Sequence, residues 1–529
     1  MKSTVRKRST SLPTVVTVIL LALIGTASTQ GAVTKGHSAG KGWSALDNVE
    51  YLKNSLDTAG FTWQEGSVAY MDWVKETCEG KMKDTAFNNP APNAYATLIL
   101  PVHEGVGRPP GEWLWQLGKN EAVVLVGQTP PAAKYFGYQT ILGFLPISPW
   151  PPPADYQLRR VAPSVGDAIN IGTVQTIGPD RVERPIVIII TGHRGTERAV
   201  RKAVLAAGYP AAILNVEAIS PALGPLGIKD EGSWFYFAHR VAVAANNDDV
   251  LDYLKTIGNR YRVFRVTPND QLAQQLGDDP EPVPVLRVRG TGHTELDLYP
   301  ALKRLRQAIL DLHAGKQQTE LDTHVFTTRT RWDGRELVAE KSYVGLQRDI
   351  QVLGVTRDTN YLATYPTFML REGEDEFVIV YGANHQKTGK ATYASVGAYA
   401  DWDRWFGIGT ALSPYFGDSA RHYLPNDPEA DLLYALKVAR NCGGEDHCMQ
   451  INQPEFKDLF GRSYETNPTC SLDDLETPQV DPRPFNLNEQ KMFFIFRSYM
   501  EPTTLVGPDD NELLYDRAIY FGPYFTKPQ

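Results

Sequence analysis

The stretch that decides the fold is residues 185–216, PIVIIITGHRGTERAVRKAVLAAGYPAAILNV. It opens at 185–190 with an apolar, largely β-branched run that predicts a strand buried on both faces. Residues 195–207 place alanines and valines on one face of a helix, and Gly208 is typical of the position just past a helix end. A second strand is predicted at 212–216, which gives a β-α-β unit with a right-handed crossover.

Helix and strand patterns alternate on both sides of this unit. Toward the N-terminus the patterns predict a helix at 45–82 and strands at 95–101, 112–117, 122–126 and 135–142. Toward the C-terminus the alternation continues at 242–254, 261–266 and 285–288, followed by a helix at 295–314. Beyond Lys316 we predict a helix at 431–439 and strands at 323–331, 336–341, 376–381, 391–399 and 491–497.

The predicted fold class is therefore mixed α and β (α+β or α/β), with a β-α-β-containing central block between β-rich N-terminal and C-terminal regions. A chain of 529 residues is too long for one ordinary core. Five prolines at 146–154 mark a boundary, since proline is excluded from central strands and helix interiors. The predicted segments are a signal peptide at 1–32, a helix and β-rich region at 33–150, an α/β block at 158–316, and a β-rich region with helices and a disulfide loop at 317–529.

The first 32 residues have the pattern of a signal peptide. Basic residues between Lys2 and Arg8 precede an apolar run at 15–24, and small residues at 27–32 suit a signal peptidase. The apolar run is too short to cross ~30 Å of hydrocarbon as a helix, which needs ~20 residues. The sequence thus predicts a secreted or periplasmic protein, and the alternative is an anchor formed by an uncleaved N-terminal segment.

Composition excludes several classes of partner. The chain is 42% hydrophobic and 22% charged, which is typical of a folded globular protein. Of its 53 basic residues, four lie in the signal region, so the mature chain has 49 against 61 acidic residues, a net charge of −12. Such a chain is poorly suited to nucleic acid or anionic membrane surfaces. We expect no nucleic-acid partner, no membrane contact beyond the export signal, and a small or medium organic molecule as ligand or substrate.

Four cysteines in an exported chain predict two disulfides. Cys442 and Cys448 bracket a short loop with two glycines, so we predict that they pair with each other. The second pair would be Cys78–Cys470, whose long loop could contribute ~4–5 kcal/mol by the chain-entropy estimate. Three pairings are compatible with the sequence, and His447 between the cysteines leaves metal binding open as the alternative.

Three loops that follow predicted strands contain the candidate site residues. The sequence lacks the standard motifs of metalloproteases, α/β-hydrolases and P-loop nucleotide hydrolases. Instead, histidine occurs in these loops among glycine and hydroxyl residues, and the loops of His193 and His293 lie where a ligand would bind in an open α/β sheet. The three loops contain His193 with Glu197, His293 with Glu295, and His385.

Imidazole serves both as a general acid or base near neutral pH and as a metal ligand. We therefore predict His385 as the first-ranked catalytic residue, followed by His193 and His293, with Glu197 and Glu295 assisting. The same three histidines are the candidate ligands of a Zn, Fe or Cu ion. A single site requires the three loops to meet in the fold. The alternative is a capping or surface role, since both glutamates fall in helix first turns, where the dipole favours a carboxylate.

Three classes of function are compatible with these features. The first is an exported enzyme that acts on a small or medium organic substrate, with oxidoreductase and hydrolase chemistry both open. The second is an extracellular binding protein with an aromatic-lined surface, for which Trp402, Trp405, Phe406 and Tyr415 are candidates. The third is an envelope or scaffold protein without chemistry. The neighbouring charges of Arg357 and Asp358 are more typical of a structural ion pair than of a catalytic pair.

We predict that the mature chain begins between about Thr29 and Val33, because small residues follow the apolar run there. Sequencing the N-terminus of protein recovered outside the cytoplasm checks this expectation. Retention of Met1 in that material would contradict cleavage and support the anchor.

Overall fold

The computed structural model describes residues 43–70, 94–106, 113–146, 163–325, 356–373, 375–400, 407–451 and 487–523. All of these ranges belong to one compact unit, Ala39–Gln529. They form three β-sheets with helices packed on them, so the mixed α and β class with a β-rich C-terminal region is confirmed. Within the described ranges, no helix combines the length and the apolar character needed to span a membrane.

Helices and strands are numbered separately along the chain. The helices are α1 (Val49–Thr58), α2 (Arg194–Ala206), α3 (Asn247–Lys255), α4 (Ile257–Arg260), α5 (Asp270–Leu276), α6 (Tyr299–Leu312) and α7 (Ser413–Phe416). The strands of the first half are β1 (Phe61–Glu65), β2 (Ser67–Tyr70), β3 (Ala94–Ile99), β4 (Ala122–Gln128), β5 (Ala133–Phe144), β6 (Ile169–Asn170), β7 (Pro185–Thr191), β8 (Leu214–Ala218), β9 (Trp234–Ala244) and β10 (Arg262–Pro268). The strands of the second half are β11 (Gln318–Val325), β12 (Thr359–Tyr365), β13 (Phe377–Ala383), β14 (Tyr393–Ala400), β15 (Gly407–Leu412), β16 (Leu433–Ala439), β17 (Cys448–Gln450), β18 (Met492–Tyr499) and β19 (Arg517–Phe521).

The first sheet has the strand order β1-β10-β4-β7-β8 and contains the predicted β-α-β unit. Strands β7 and β8 are parallel and are connected through α2. One face of the sheet packs against α1 and α2, with Val124 and Ile189 in the same apolar cluster as Leu52 and Val200. Because β7 is buried on both faces, its continuous apolar run is explained by the layers on either side.

The second sheet, in the order β2-β3-β9-β5-β6, lies between the first sheet and the third. One of its faces packs on the first sheet, where Phe136 and Val241 share a core with Ile188. The opposite face presents Tyr135, which clusters with Tyr499 of the third sheet. Alternation along β5 and β9 therefore separates an apolar face from a face that contains tyrosine and arginine.

The third sheet has the order β15-β14-β18-β12-β11-β19-β13-β16-β17. Every strand pair in it is antiparallel except β16 with β17. Helix α6 packs its apolar stripe on this sheet, with Leu305 and Ile309 against Ile379 and Ile519. This packing brings the loop before α6 next to the loop that joins β13 to β14.

Two predicted helices differ from the structure. The helix expected at 45–82 ends at Thr58, and β1 and β2 follow, because Gly60 turns the chain with a φ of +88°. The helix expected at 431–439 is strand β16, preceded by a short 3₁₀ turn. Its apolar side chains are compatible with a helix in isolation, but pairing with β13 and β17 buries them as a strand.

Two predicted strands are absent from the described residues. Positions 113–117 form only isolated bridges to the second sheet and a neighbouring loop, and 285–288 are irregular, with Val285 almost fully exposed. Strands from the predicted segments 33–150 and 158–316 pair with each other in both five-stranded sheets, whereas the described strands of the third sheet all come from 317–529.

The disulfide Cys442–Cys448 is confirmed, with a Cα–Cα distance of 5.7 Å. Several expectations fall outside the described residues: Cys78 and Cys470, the segment 326–341 of the predicted hairpin, the prolines at 149–153, and Trp402, Trp405 and Phe406. Tyr415 is described and is half-exposed, and its hydroxyl donates to the Cys448 carbonyl oxygen (3.0 Å).

Replacing both Cys442 and Cys448 by alanine is expected to lower the free energy of unfolding by about 2 kcal/mol, because the loop they close is short. Urea unfolding of the double variant beside the oxidised wild type measures the difference. A loss above about 4 kcal/mol would mean that the bridge does more than restrict the unfolded chain.

Candidate functional site

His385 lies in the loop between β13 and β14, at the centre of a buried group of charges. Nδ1 is 2.9 Å from both carboxylate oxygens of Glu295, which precedes α6. Nε2 is 3.2 Å from Oδ2 of Asp516, which precedes β19. The imidazole is 1% exposed. Since each ring nitrogen faces a carboxylate, the arrangement requires both nitrogens to donate, which is the imidazolium form.

The two carboxylates are themselves held in place by further hydrogen bonds. Glu295 accepts from the Leu514 amide (2.9 Å) and from the Thr388 hydroxyl. Asp516 accepts from the Tyr434 hydroxyl through its other oxygen (2.6 Å). We call this group of His385, Glu295, Asp516, Thr388 and Tyr434 the His385 clamp. It joins the loop before α6 to the loop between β13 and β14.

Electrostatics explains the protonation of the clamp. Burial lowers the pKa of His385, but Glu295 and Asp516 outweigh it and raise the pKa to about 10. Burial raises the pKa of Glu295, and the His385 imidazolium outweighs that effect, so the pKa is below its ordinary value. With both nitrogens engaged and the charge fixed at neutral pH, His385 has no free lone pair for a metal or a substrate proton. The geometry therefore favours a structural role for the first-ranked residue.

A second buried ion group lies between the same two loops. Lys390 contacts Glu501 (2.8 Å), Glu512 and the Thr291 hydroxyl (3.1 Å). Glu512 also accepts from the amides of Thr291 (2.9 Å) and Gly292. The glycine-rich turn that contains Thr291 and Gly292 thus binds the Glu512 carboxylate through its backbone amides.

The other predicted site residues lie in ordinary structural positions. His193 is the N-cap of α2, where its Nδ1 accepts from the Thr196 amide (3.1 Å). Glu197 pairs with Arg201 one turn further along α2 (2.6 Å). His293 is exposed at the surface of its loop.

The three predicted loops do not form one histidine site. The structure brings Glu295 and His385 together, but within the described ranges no hydrogen bond or ion pair connects His193 or His293 to them. The same ranges contain no group of three or more histidine, cysteine, aspartate or glutamate side chains arranged to hold a metal ion.

A different polar group lies between the second and third sheets. We call it the tyrosine–arginine cluster; its members are Arg240, Arg497, Tyr95, Tyr135, Tyr361, Tyr393, Tyr399 and Tyr499. All of them come from strands, so their directions are set by strand alternation rather than by a loop.

Cross-strand pairing in the third sheet arranges one side of this cluster. Tyr393 of β14 is opposite Tyr499 of β18, and their rings stack with centroids 4.5 Å apart. Two residues away, Ser395 is opposite Arg497, and Tyr361 of β12 lies beside Arg497 in the neighbouring pair. Residues two apart on a strand share a face, so the side chains of both cross-strand pairs point to the same face of the sheet.

Arg240 of β9 reaches this face from the second sheet. Its guanidinium carbon is 4.3 Å from the centroid of the Tyr499 ring and 5.2 Å from that of Tyr95. Nη1 donates to the Tyr499 hydroxyl. The residue is 5% exposed, yet Nε and Nη2 have no hydrogen-bond partner.

Arg497 has a similar environment. Its guanidinium lies over the rings of Tyr399 (5.1 Å) and Tyr361 (5.5 Å), and Nη2 donates to the Tyr399 hydroxyl (2.8 Å). Nη1 is buried without a partner. In the part of the chain that the structure describes, no carboxylate forms an ion pair with Arg240 or Arg497.

Two hydroxyls on the same face also lack partners, those of Tyr393 and Ser395. Burial raises the pKa of Tyr393, so the phenol is neutral and retains its hydrogen. Gly397 allows neighbouring side chains to approach β14 closely: a Cβ there would be 2.7 Å from the Tyr399 ring and 3.4 Å from Nη1 of Arg497.

Asp358 lies at the edge of this cluster, at the start of β12. Its Oδ2 accepts from the Tyr135 hydroxyl (2.8 Å) and from Nδ2 of Asn170 (3.0 Å), while Oδ1 has no partner. Burial raises the pKa of Asp358 to about 6, against the lowering effect of those two hydrogen bonds.

Buried donors without partners are energetically costly, and costlier still when they belong to a charged group. A planar anion such as a carboxylate satisfies guanidinium donors in pairs, and tyrosine rings provide apolar contact for the rest of a ligand. Sequence reasoning missed this cluster. The available signal was the alternation of Tyr393, Ser395, Gly397 and Tyr399 along one predicted strand, which places polar and aromatic residues on a single face.

Substituting His385 by alanine is expected to lower the free energy of unfolding at pH 7 by about 3–5 kcal/mol, since two carboxylates would remain buried without their cation. The matched control is His293→Ala, which replaces an exposed histidine of an adjoining loop. It should change the free energy of unfolding by less than about 0.5 kcal/mol.

The same clamp predicts a pH dependence. The folded pKa of about 10 exceeds the ordinary value of 6.5, so the stabilisation is complete below pH 6.5 and is lost as the pH rises through 10. Urea unfolding at pH 7 and pH 10 should therefore show the wild type approaching His385→Ala at the higher pH. An equal difference at both pH values would contradict the imidazolium assignment.

No protein-family model and no curated protein sequence matches this chain. Among solved structures, it is similar to the crystal structure of an uncharacterised protein from Burkholderia cenocepacia, with 9% sequence identity, a TM-score of 0.33, and coverage of 90% of this chain and 95% of that chain. It is also similar to the VPA0106 protein from Vibrio parahaemolyticus, with 11% identity, a TM-score of 0.32, and coverage of 89% and 98%. At these TM-scores the two similarities support no conclusion about fold or function.

Proposed function

We propose that this protein is an exported protein that binds a small organic anion in the tyrosine–arginine cluster. The observation that supports this most directly is that Arg240 and Arg497 are both buried, both have N–H groups without partners, and neither is paired with a carboxylate among the described residues. A bound carboxylate would accept hydrogen bonds from such donors and compensate a buried guanidinium charge.

The surroundings support an organic ligand rather than a bare inorganic anion. The guanidinium of Arg240 contacts the rings of both Tyr95 and Tyr499, and Tyr135 and Tyr393 pack against Tyr499. Flat aromatic walls favour a flat apolar body attached to the anionic group. The unpartnered atoms are shielded from solvent, so a ligand there would interact in a water-excluded environment where charge pairing is strong.

That the protein is also an enzyme is a second proposal, separate from ligand binding. Asp358 is the described carboxyl best suited to exchange a proton near this ligand. It is fixed through Oδ2 by Tyr135, which packs on the rings of Tyr393 and Tyr499, and its other oxygen is free. A pKa of about 6 lets it hold or release a proton near neutral pH.

Isothermal titration with benzoate, and with benzamide as the uncharged analogue, tests the binding of an anion. We expect benzoate to bind and benzamide to bind at least about tenfold more weakly, because charge-assisted hydrogen bonds contribute ~1.5–3 kcal/mol. Arg240→Gln should weaken benzoate by a similar factor. Arg262→Gln, which removes a surface arginine that is 37% exposed, is the matched control and should leave affinity unchanged.

Stability of the ligand-free protein gives a second readout. If Arg240 is kept for a ligand, Arg240→Met should be as stable as the wild type or more stable, since replacing a buried charge by an apolar side chain removes its desolvation cost. No binding of benzoate to the wild type, together with a loss of about 3 kcal/mol or more in Arg240→Met, would assign the arginine to structure instead.

A further inference from the structure

We infer that the ligand carries two anionic groups, one held by Arg240 with Tyr393 and the other by Arg497 with Ser395. This inference rests on the proposed function and specifies its ligand class. It follows from the positions of four side chains with unpartnered polar atoms, which fall into two groups rather than one.

The first half-site combines Arg240 and Tyr393. The guanidinium of Arg240 lies 4.3 Å from the Tyr499 ring, and the Tyr393 ring stacks on that same ring at 4.5 Å. Arg240 and Tyr393 also influence each other's pKa, as expected for close neighbours. Nε and Nη2 of the arginine and the phenol oxygen are three donor atoms without partners.

The second half-site combines Arg497 and Ser395. These residues are direct cross-strand partners of β18 and β14 and point to the same face. Nη1 of Arg497 and the serine hydroxyl are both buried and unpartnered. Gly397, the next residue on that face of β14, has no side chain, so the Tyr399 ring and Nη1 of Arg497 lie close to the strand there.

Strand geometry separates the two half-sites. The Tyr393–Tyr499 pair and the Ser395–Arg497 pair are two residues apart on the same ladder. At 3.3–3.4 Å per residue this corresponds to roughly 7 Å. A benzene ring with carboxylates in para positions can span such a distance, whereas carboxylates in ortho positions cannot.

Charge balance also favours a dianion. The two guanidiniums lie within electrostatic range of the same tyrosines, Tyr393 and Tyr361, so they also repel each other in a buried environment. Asp358, a described carboxyl at the edge of the cluster, is engaged by Tyr135 and Asn170 and also faces Arg289 and Asp167. One monoanion would leave a guanidinium uncompensated, and two anionic groups on one ligand compensate both.

Titration of the full mature protein with terephthalate, phthalate and benzoate tests the inference. We expect terephthalate to bind at least about tenfold more tightly than benzoate, because it makes a second charge-assisted contact. Phthalate, with the same charge and its carboxylates in ortho positions, should bind no better than benzoate.

Variants of the second half-site complete the experiment. Arg497→Gln should lower the ratio of the terephthalate affinity to the benzoate affinity from about ten or more to about one. Ser395→Ala, which removes only an unpartnered hydroxyl and is expected to fold normally, should lower the same ratio several-fold, whereas the surface variant Arg262→Gln should leave the ratio unchanged.

Equal affinity for terephthalate and benzoate in the wild type would overturn the dianion inference, and the proposed function would stand if Arg240→Gln still weakened benzoate. A preference for terephthalate that survives both Arg497→Gln and Ser395→Ala would also overturn it. Absence of binding by all three compounds would overturn both proposals.

Discussion

The contact of Arg240 with Tyr499 joins the second sheet to the third and buries a charge for which the described residues provide no carboxylate partner. A guanidinium that stacks on an aromatic ring brings a charged group into the space between two sheets. The stack and a single hydrogen bond satisfy only part of its donors. The surrounding tyrosines provide ring contacts for Arg240, and the Tyr499 hydroxyl accepts a hydrogen bond from it. They provide no negative charge to compensate the guanidinium.

This centre contrasts with the His385 clamp, where a buried cation is fully paired. There the imidazolium meets a carboxylate at each nitrogen, and both carboxylates have additional donors. Complete pairing is the usual condition under which a buried charge is tolerated in a stable fold. At Arg240 and Arg497 the pairing is incomplete, and a buried polar group without a partner calls for an explanation, of which a bound ligand is one.

Much of the local structure could be predicted from the chain alone. The β-α-β unit, strands β4, β5, β13 and β14, and the Cys442–Cys448 bridge follow from periodicity and spacing over short stretches. The errors occurred where distant partners decide the conformation. The segment 431–439 has apolar residues suited to a helix, but β13 pairs with it as a strand. At Gly60 a positive φ ended a helix that the residue pattern would have extended.

The sequence by itself determined which residue types occur in the loops and on the strand faces, because those patterns repeat within a few residues. Only the tertiary structure decided their partners. Glu295 and Asp516 lie 90 and 131 residues from His385, and their approach converts a candidate catalytic histidine into a fully paired cation. In the same way, Arg240 meets Tyr499 across 259 residues. Whether a charge is compensated depends on groups brought near it by folding, and local periodicity contains no information about them.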